Sequence, residues 1–132
     1  MILVDSSVWI EFLRGHDHAI FEAVNGLIKE SNRACICGII MQEVLQGIRE
    51  DREHSLVKER LELLPFLEAG KHTYMAAADI YRKLRRKGNT VPGADALIAA
   101  IAAEHEARLF TLDTSHFKMI AESFIGLKLY NS

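Results

Sequence analysis

The sequence predicts a three-layer α/β/α fold around a mostly parallel central sheet of about four to five strands. Two observations carry this prediction. Short apolar runs alternate with segments whose apolar residues recur at helical spacing, the pattern of strands joined by crossover helices. The strand-like runs also tend to end on residues that turn the chain or open a helix, as Asp5-Ser6-Ser7 does after Ile2–Val4 and Asp113 after Arg108–Leu112. At 132 residues the chain is expected to form a single domain, residues 1–132, and to bury roughly two thirds of the surface that its unfolded form exposes.

Taken in order, Ile2–Val4 is a strand and Asp5-Ser6-Ser7 its cap, and Val8, Trp9, Phe12 and Leu13 then mark one face of a helix that reaches Gly15. Trp9 and Phe12 are core or partner-facing residues. From about Asp17 to Ser31, Ile20, Ala23, Val24, Leu27 and Ile28 share a second helical face. Ala34-Cys35-Ile36-Cys37 reads as a buried strand, and Gly38 marks a turn. Ile40, Val44, Leu45 and Ile48 make another amphipathic helix, and Glu50-Asp51-Arg52-Glu53 reads as a polar break. A helix over Leu56–Leu64 follows, stopped by Pro65.

Phe66-Leu67-Glu68 is a candidate third strand. The next helix, about Lys71 to Lys87, ends in the basic run Arg82-Lys83-Leu84-Arg85-Arg86-Lys87 and is closed by Gly88-Asn89. Pro92-Gly93-Ala94-Asp95 opens the most apolar helix of the chain, with Leu97, Ile98 and Ile101 in an alanine-rich frame, so it must be largely buried. Arg108–Asp113 reads as a strand, Ser115–Glu122 as a helix and Leu127–Tyr130 as a last strand.

Composition narrows the classes of function. Cys35 and Cys37, the two cysteines, lie two apart, where a strand turns both to one face and a disulfide would be badly strained, so they read as free thiols in a reducing compartment. A zinc site would want a second pair of ligands at suitable spacing. The opening Met1-Ile2-Leu3-Val4-Asp5 lacks the basic region of a signal peptide, and no apolar run approaches the roughly 20 residues needed to span a bilayer. The chain is therefore expected to be cytoplasmic, with no membrane partner. A net charge of only −2 leaves any nucleic acid to a local basic patch, for which Arg82, Arg85 and Arg86 are the candidates. The same cations also suit the end of a helix, whose dipole they complement.

Asp5, Glu43, Asp95 and Asp113 each stand at the end of an apolar strand or near the opening of a helix. In an open α/β sheet ligands bind outside the carboxyl ends of the strands, so these acids can converge there. Individually, Asp5 and Asp113 are also good helix caps, Asp95 suits a helix dipole, and Glu43 can be an ordinary solvated residue. Converged, each close pair of carboxylates would repel by roughly 4 kcal/mol at an effective dielectric of about 20, so a cation or a proton must compensate. With Ser6 and Thr111 adding hydroxyls, the donor set is all oxygen and suits Mg²⁺, with Mn²⁺ as a substitute. The chemistry implied is metal-assisted phosphodiester hydrolysis.

Four segments carry a family resemblance: Ile-Leu-Val-Asp-Ser-Ser-Val-Trp-Ile-Glu-Phe at 2–12, Gln-Glu-Val-Leu-Gln-Gly-Ile-Arg at 42–49, Gly-Ala-Asp-Ala-Leu-Ile-Ala-Ala at 93–100 and Leu-Phe-Thr-Leu-Asp-Thr-Ser-His-Phe at 109–117. In order and spacing they resemble the four acidic motifs of PIN-domain ribonucleases, and most closely the VapC-type toxins of type II toxin–antitoxin pairs. The resemblance implies a PIN-like fold over the whole chain. It implies Asp5 and Asp95 as principal Mg²⁺ ligands, Glu43 as a third acid at the metal or its waters, and Asp113 as the fourth. Ser6 and Thr111 match the family's hydroxyl positions. Gly38 departs from a common Ser or Thr, and His116 from a common acid before Phe117. Also implied are endonucleolytic cleavage of single-stranded or looped RNA, a homodimer, and a cognate antitoxin whose tail enters the active-site groove. The rivals are a non-catalytic PIN-like module that binds RNA or protein and a housekeeping RNA-processing nuclease. Other α/β enzymes fit less well, because there is no second Asp two positions after Asp5, no Gly-rich loop after the first strand and no Ser nucleophile elbow.

Overall fold

A computed structural model describes residues 1–30 and 33–131. The first strand, β1 (Ile2–Val4), leads into helices α1 (Ser6–Arg14) and α2 (His18–Lys29), and then comes β2 (Ala34–Cys37). Helices α3 (Gly38–Gln46) and α4 (Asp51–Glu62) precede β3 (Phe66–Leu67). Next are α5 (Lys71–Arg86), α6 (Gly93–Glu104), β4 (Arg108–Phe110) and α7 (Thr114–Ser123). The strands form one sheet in the order β3-β2-β1-β4. Every pairing is parallel, with Ile2 opposite both Ala34 and Arg108, and Cys37 opposite Leu67.

This order explains the three layers. The chain steps from β1 to β2 to β3 in one direction and returns past β1 to β4. Right-handed crossovers then put α1–α4 on one face and α5 and α6 on the other, where α7 joins them. Covered on both sides, β1 and β2 are buried along their whole length, which is why they read as unbroken apolar runs. Cys35 and Cys37 are fully buried free thiols. Burial pushes both up to about 11, so they pack as small apolar groups.

Helix α6 is sealed on almost every side, with Ala96 and Ile98–Ala102 all buried. Its alanines allow α5 to approach closely along its length. The two helices run antiparallel, since the Thr73 hydroxyl, in the first turn of α5, donates to Glu104 Oε2 at the end of α6 at 2.7 Å. Trp9 enters the core, whereas Phe12 stacks on the partly exposed Phe21 at 5.1 Å in the seam between α1 and α2.

Three expectations are corrected. Leu127–Tyr130 makes one bridge, Leu109 to Leu129, in place of a strand. Arg108 and Phe110 direct their bonding groups to β1, so only Leu109 offers its N–H and C=O to the outer edge, bonding Lys128 and Tyr130 at 2.9 and 2.8 Å. Gly38 begins α3 and makes no separate turn. The supposed break at Glu50–Glu53 is the start of α4, because Asp51 and Glu53 in a first turn favour the helix dipole. Helix α2 ends at Lys29, and Ser31, to which it was expected to run, lies outside the described residues.

The core rests heavily on Phe117, which is 1% exposed, while Phe66 on the edge strand is 44% exposed. Phe117→Ala is expected to cost about 3 to 5 kcal/mol by urea unfolding, and Phe66→Ala less than about 1.5 kcal/mol.

Candidate active site

The parallel sheet places its strand ends along one edge, and the acids gather there. Asp5 directly follows β1, and its N–H continues the ladder to Phe110 O at 2.9 Å. Glu43 lies on α3, which starts as soon as β2 ends. Thr111 and Asp113 follow β4. Asp95 arrives differently: α6 runs back along the strand that it feeds, so the first turn of α6 lies at the carboxyl end of the sheet.

Capping does not account for these side chains. Asp5 and Asp113 occupy the N-cap positions of α1 and α7, yet neither carboxylate makes a cap hydrogen bond. The Asp5 side chain instead accepts from the Thr111 hydroxyl at 2.7 Å and from the Ser7 hydroxyl at 3.0 Å, both on Oδ2. Each hydroxyl also receives a backbone N–H, Asp113 to Thr111 at 3.0 Å and Leu112 to Ser7 at 3.1 Å. Ser7, which nothing in the local pattern favours over Ser6, thereby ties the corner after β4 to the start of α1. Ser6 lies beside Glu43 and partly offsets the rise in that acid.

Two buried carboxylate oxygens, Glu43 Oε1 and Asp95 Oδ2, have no hydrogen-bond partner. Burial, and then the charge of Asp5, raises Glu43 above its ordinary range. Asp95 is pushed up to about 6, first by burial and then by Asp113 and Asp5, with Glu43 adding to the rise and His116 opposing it. These influences put Asp5, Glu43 and Asp113 all within electrostatic reach of Asp95. His116 Nδ1 stands 3.0 Å from Asp113 Oδ2 and 3.2 Å from Asp95 Oδ2. Its hydrogen bond is with Asp113, so Asp95 has the ring nearby without a well-aligned bond. Ser115 donates to Asp113 Oδ1 at 3.1 Å.

The residues present suit a hard divalent cation. Orphaned buried oxygens, and two carboxylates raised by burial and then by neighbouring acids, are the marks of a site built around a positive charge. Arg82, Arg85 and Arg86 are exposed on α5, and Arg82 pairs with Asp79 at 3.9 Å. The short link 87–92 joins the end of α5 to the helix that carries Asp95.

The PIN domain family model matches residues 2–122. The chain is 38% identical over 124 residues to the ribonuclease VapC11 of Mycobacterium tuberculosis, covering 92% of each chain. Its backbone is similar to the VapBC2 structure from Rickettsia felis, described as bound to a DNA fragment from their promoter, with a TM-score of 0.80 at 20% identity over 100% of this chain and 99% of that one. A toxin-antitoxin complex from Klebsiella pneumoniae gives a TM-score of 0.75 at 17% identity, covering 100% of both chains. At these identities the two structures speak for the fold alone.

Asp95 holds its proton more tightly in the folded chain than in the unfolded one, about 6 against an ordinary 3.8. Its contribution to metal-free stability therefore falls as pH rises from about 4 to about 6 and stays lowered above that. Asp95→Asn is expected to be more stable than the parent at pH 8 in a chelator, by about 1 to 3 kcal/mol, and level with it near pH 3.5. Urea unfolding at the two pH values checks the sign.

Proposed function

The chain belongs to the PIN-domain family and to its VapC ribonucleases, and we propose that it is an Mg²⁺-dependent endoribonuclease restrained by a cognate antitoxin. Metal dependence follows from the family. For Mg²⁺ in particular, the supporting observation is the pair of buried, unpartnered oxygens on Glu43 and Asp95, within electrostatic reach of Asp5. The toxin role and the antitoxin partner are carried over from the VapBC and toxin-antitoxin structures that share the fold.

In this reading Asp5 and Asp95 hold the cation. Asp5 is already oriented, because Thr111 and Ser7 both bond Oδ2 and leave Oδ1 for a ligand. Glu43, raised and lacking a donor to Oε1, orients water or takes its proton. Asp113 is fixed by Ser115 and His116 at the open side of the site. When bound, a divalent ion supplies an activated water and neutralises charge on the phosphate. Arg85 and Arg86 guide the RNA backbone from the end of α5.

The remaining parts of the reading are a single domain over residues 1–132, a cytoplasmic location beside its RNA, and a homodimer. No described helix is long and apolar enough to cross a membrane.

Asp95→Asn should retain the fold and lose at least about a hundredfold in cleavage of single-stranded RNA. Wild-type cleavage by that variant, with contaminating nuclease excluded, would remove Asp95 from the site, and loss of cleavage with no Mg²⁺ requirement in the parent would reject the metal. Mg²⁺ at about 100 times its dissociation constant should stabilise the parent by roughly 2.7 kcal/mol in thermal unfolding, a gain that Asp95→Asn forfeits.

For the basic run, the measurement is the salt dependence of RNA binding by catalytically inactive protein. Arg85→Ala combined with Arg86→Ala should reduce the slope of log affinity against log salt by about 0.7 for each phosphate that the two arginines neutralise. An unchanged slope takes both residues off the RNA path.

A further inference from the structure

Asp95, Asp113 and His116 offer two carboxylate oxygens and one ring nitrogen that all lie within 4.8 Å of one another. The nitrogen, His116 Nδ1, is 3.0 Å from the Asp113 oxygen and 3.2 Å from the Asp95 oxygen. On an octahedral ion with bonds of about 2.1 Å, adjacent donors are about 3 Å apart. Both nitrogen-to-oxygen separations therefore match a coordination edge without rearrangement of the backbone.

The local structure favours the same arrangement. His116 lies in the first turn of α7, and the next residue, Phe117, is 1% exposed and locks that turn into the core. The imidazole itself is 37% exposed, so its outer nitrogen can take the ring proton when an ion replaces the hydrogen that now bridges Nδ1 and Asp113 Oδ2. Asp95 Oδ2, which it faces, is buried and otherwise unpartnered.

Resting on the divalent-ion reading above, we propose that His116 Nδ1 is itself a ligand of the bound ion beside Asp95 and Asp113, making a mixed nitrogen–oxygen centre that supports Mg²⁺ but binds Mn²⁺ more tightly. Imidazole suits first-row transition metals, whereas Mg²⁺ takes oxygen donors and gives up its water reluctantly. The competing role for His116 is a hydrogen-bond donor that stands in for the cation and is displaced when the ion arrives.

Electron spin echo envelope modulation of Mn²⁺ bound to the purified protein separates the two. A directly coordinated imidazole gives ¹⁴N modulation, which should vanish in His116→Gln. Bound Mn²⁺ without nitrogen modulation, or modulation that survives the substitution, overturns the proposal and leaves the divalent-ion reading standing. Failure of Mn²⁺ to bind overturns the proposal, and failure of both Mn²⁺ and Mg²⁺ overturns the divalent-ion reading as well. Calorimetric titration supplies a second readout: His116→Gln should weaken Mn²⁺ binding by about tenfold or more and Mg²⁺ binding by less than about threefold. Equal weakening of the two ions would contradict the selectivity.

Discussion

Among the described residues, Asp5 is the one charged residue that the fold buries. A carboxylate removed from water is costly unless donors replace its hydration. Here the donors are the hydroxyls of Thr111 and Ser7, and the backbone at Leu112 and Asp113 is folded around those hydroxyls in turn. Satisfying one buried charge thus joins the end of β1, the start of α1 and the corner after β4. The position of Asp113 is set by the same bonds, since its N–H is one of the groups involved.

Magnitudes separate Asp5 from the other acids. Hydrogen bonds to a charged group contribute about 1.5 to 3 kcal/mol each, so two of them go far toward offsetting the burial of one carboxylate. They do nothing for Asp95 and Glu43, whose buried oxygens lack donors and which face like charges worth roughly 4 kcal/mol per close pair. The protein therefore completes one corner of the site by itself and leaves the rest to a proton or a cation. The rise of Asp95 to about 6 is the proton's answer when no cation is bound.

The local patterns of this chain are readable where one element determines the outcome. Unbroken apolar runs at Ile2–Val4 and Ala34–Cys37 mark strands covered on both faces, and the alanine-rich stretch after Asp95 marks the buried helix. Sequence alone does not separate capping from chemistry at Asp5 and Asp113, because a cap and a ligand occupy the same place at a strand end. The missing cap bonds speak against capping. The choice between Ser6 and Ser7 is equally hidden, for it depends on a partner that lies 104 residues away from Ser7. His116 stands out in the sequence only as an unusual neighbour of Phe117, since its relation to Asp95 exists only after α6 and α7 have packed. The outcome at Leu127–Tyr130 turns on which way three residues of β4 direct their peptide groups, a matter of pleat that apolar composition does not encode.

The sheet order also sets a sequence of events in time. β1 is the first strand made and becomes an inner strand, yet one of its neighbours comes from Arg108–Phe110, and the bond that orients Asp5 spans 106 residues. Closing a loop of that length costs about 4 kcal/mol of chain entropy and must precede any stabilisation from the bond. On a ribosome adding about 5 to 20 residues per second, the first carboxylate waits many seconds for the hydroxyl that holds it. A nascent chain carries Asp5, Glu43 and Asp95 before Thr111 exists to complete the corner that the fold builds around Asp5.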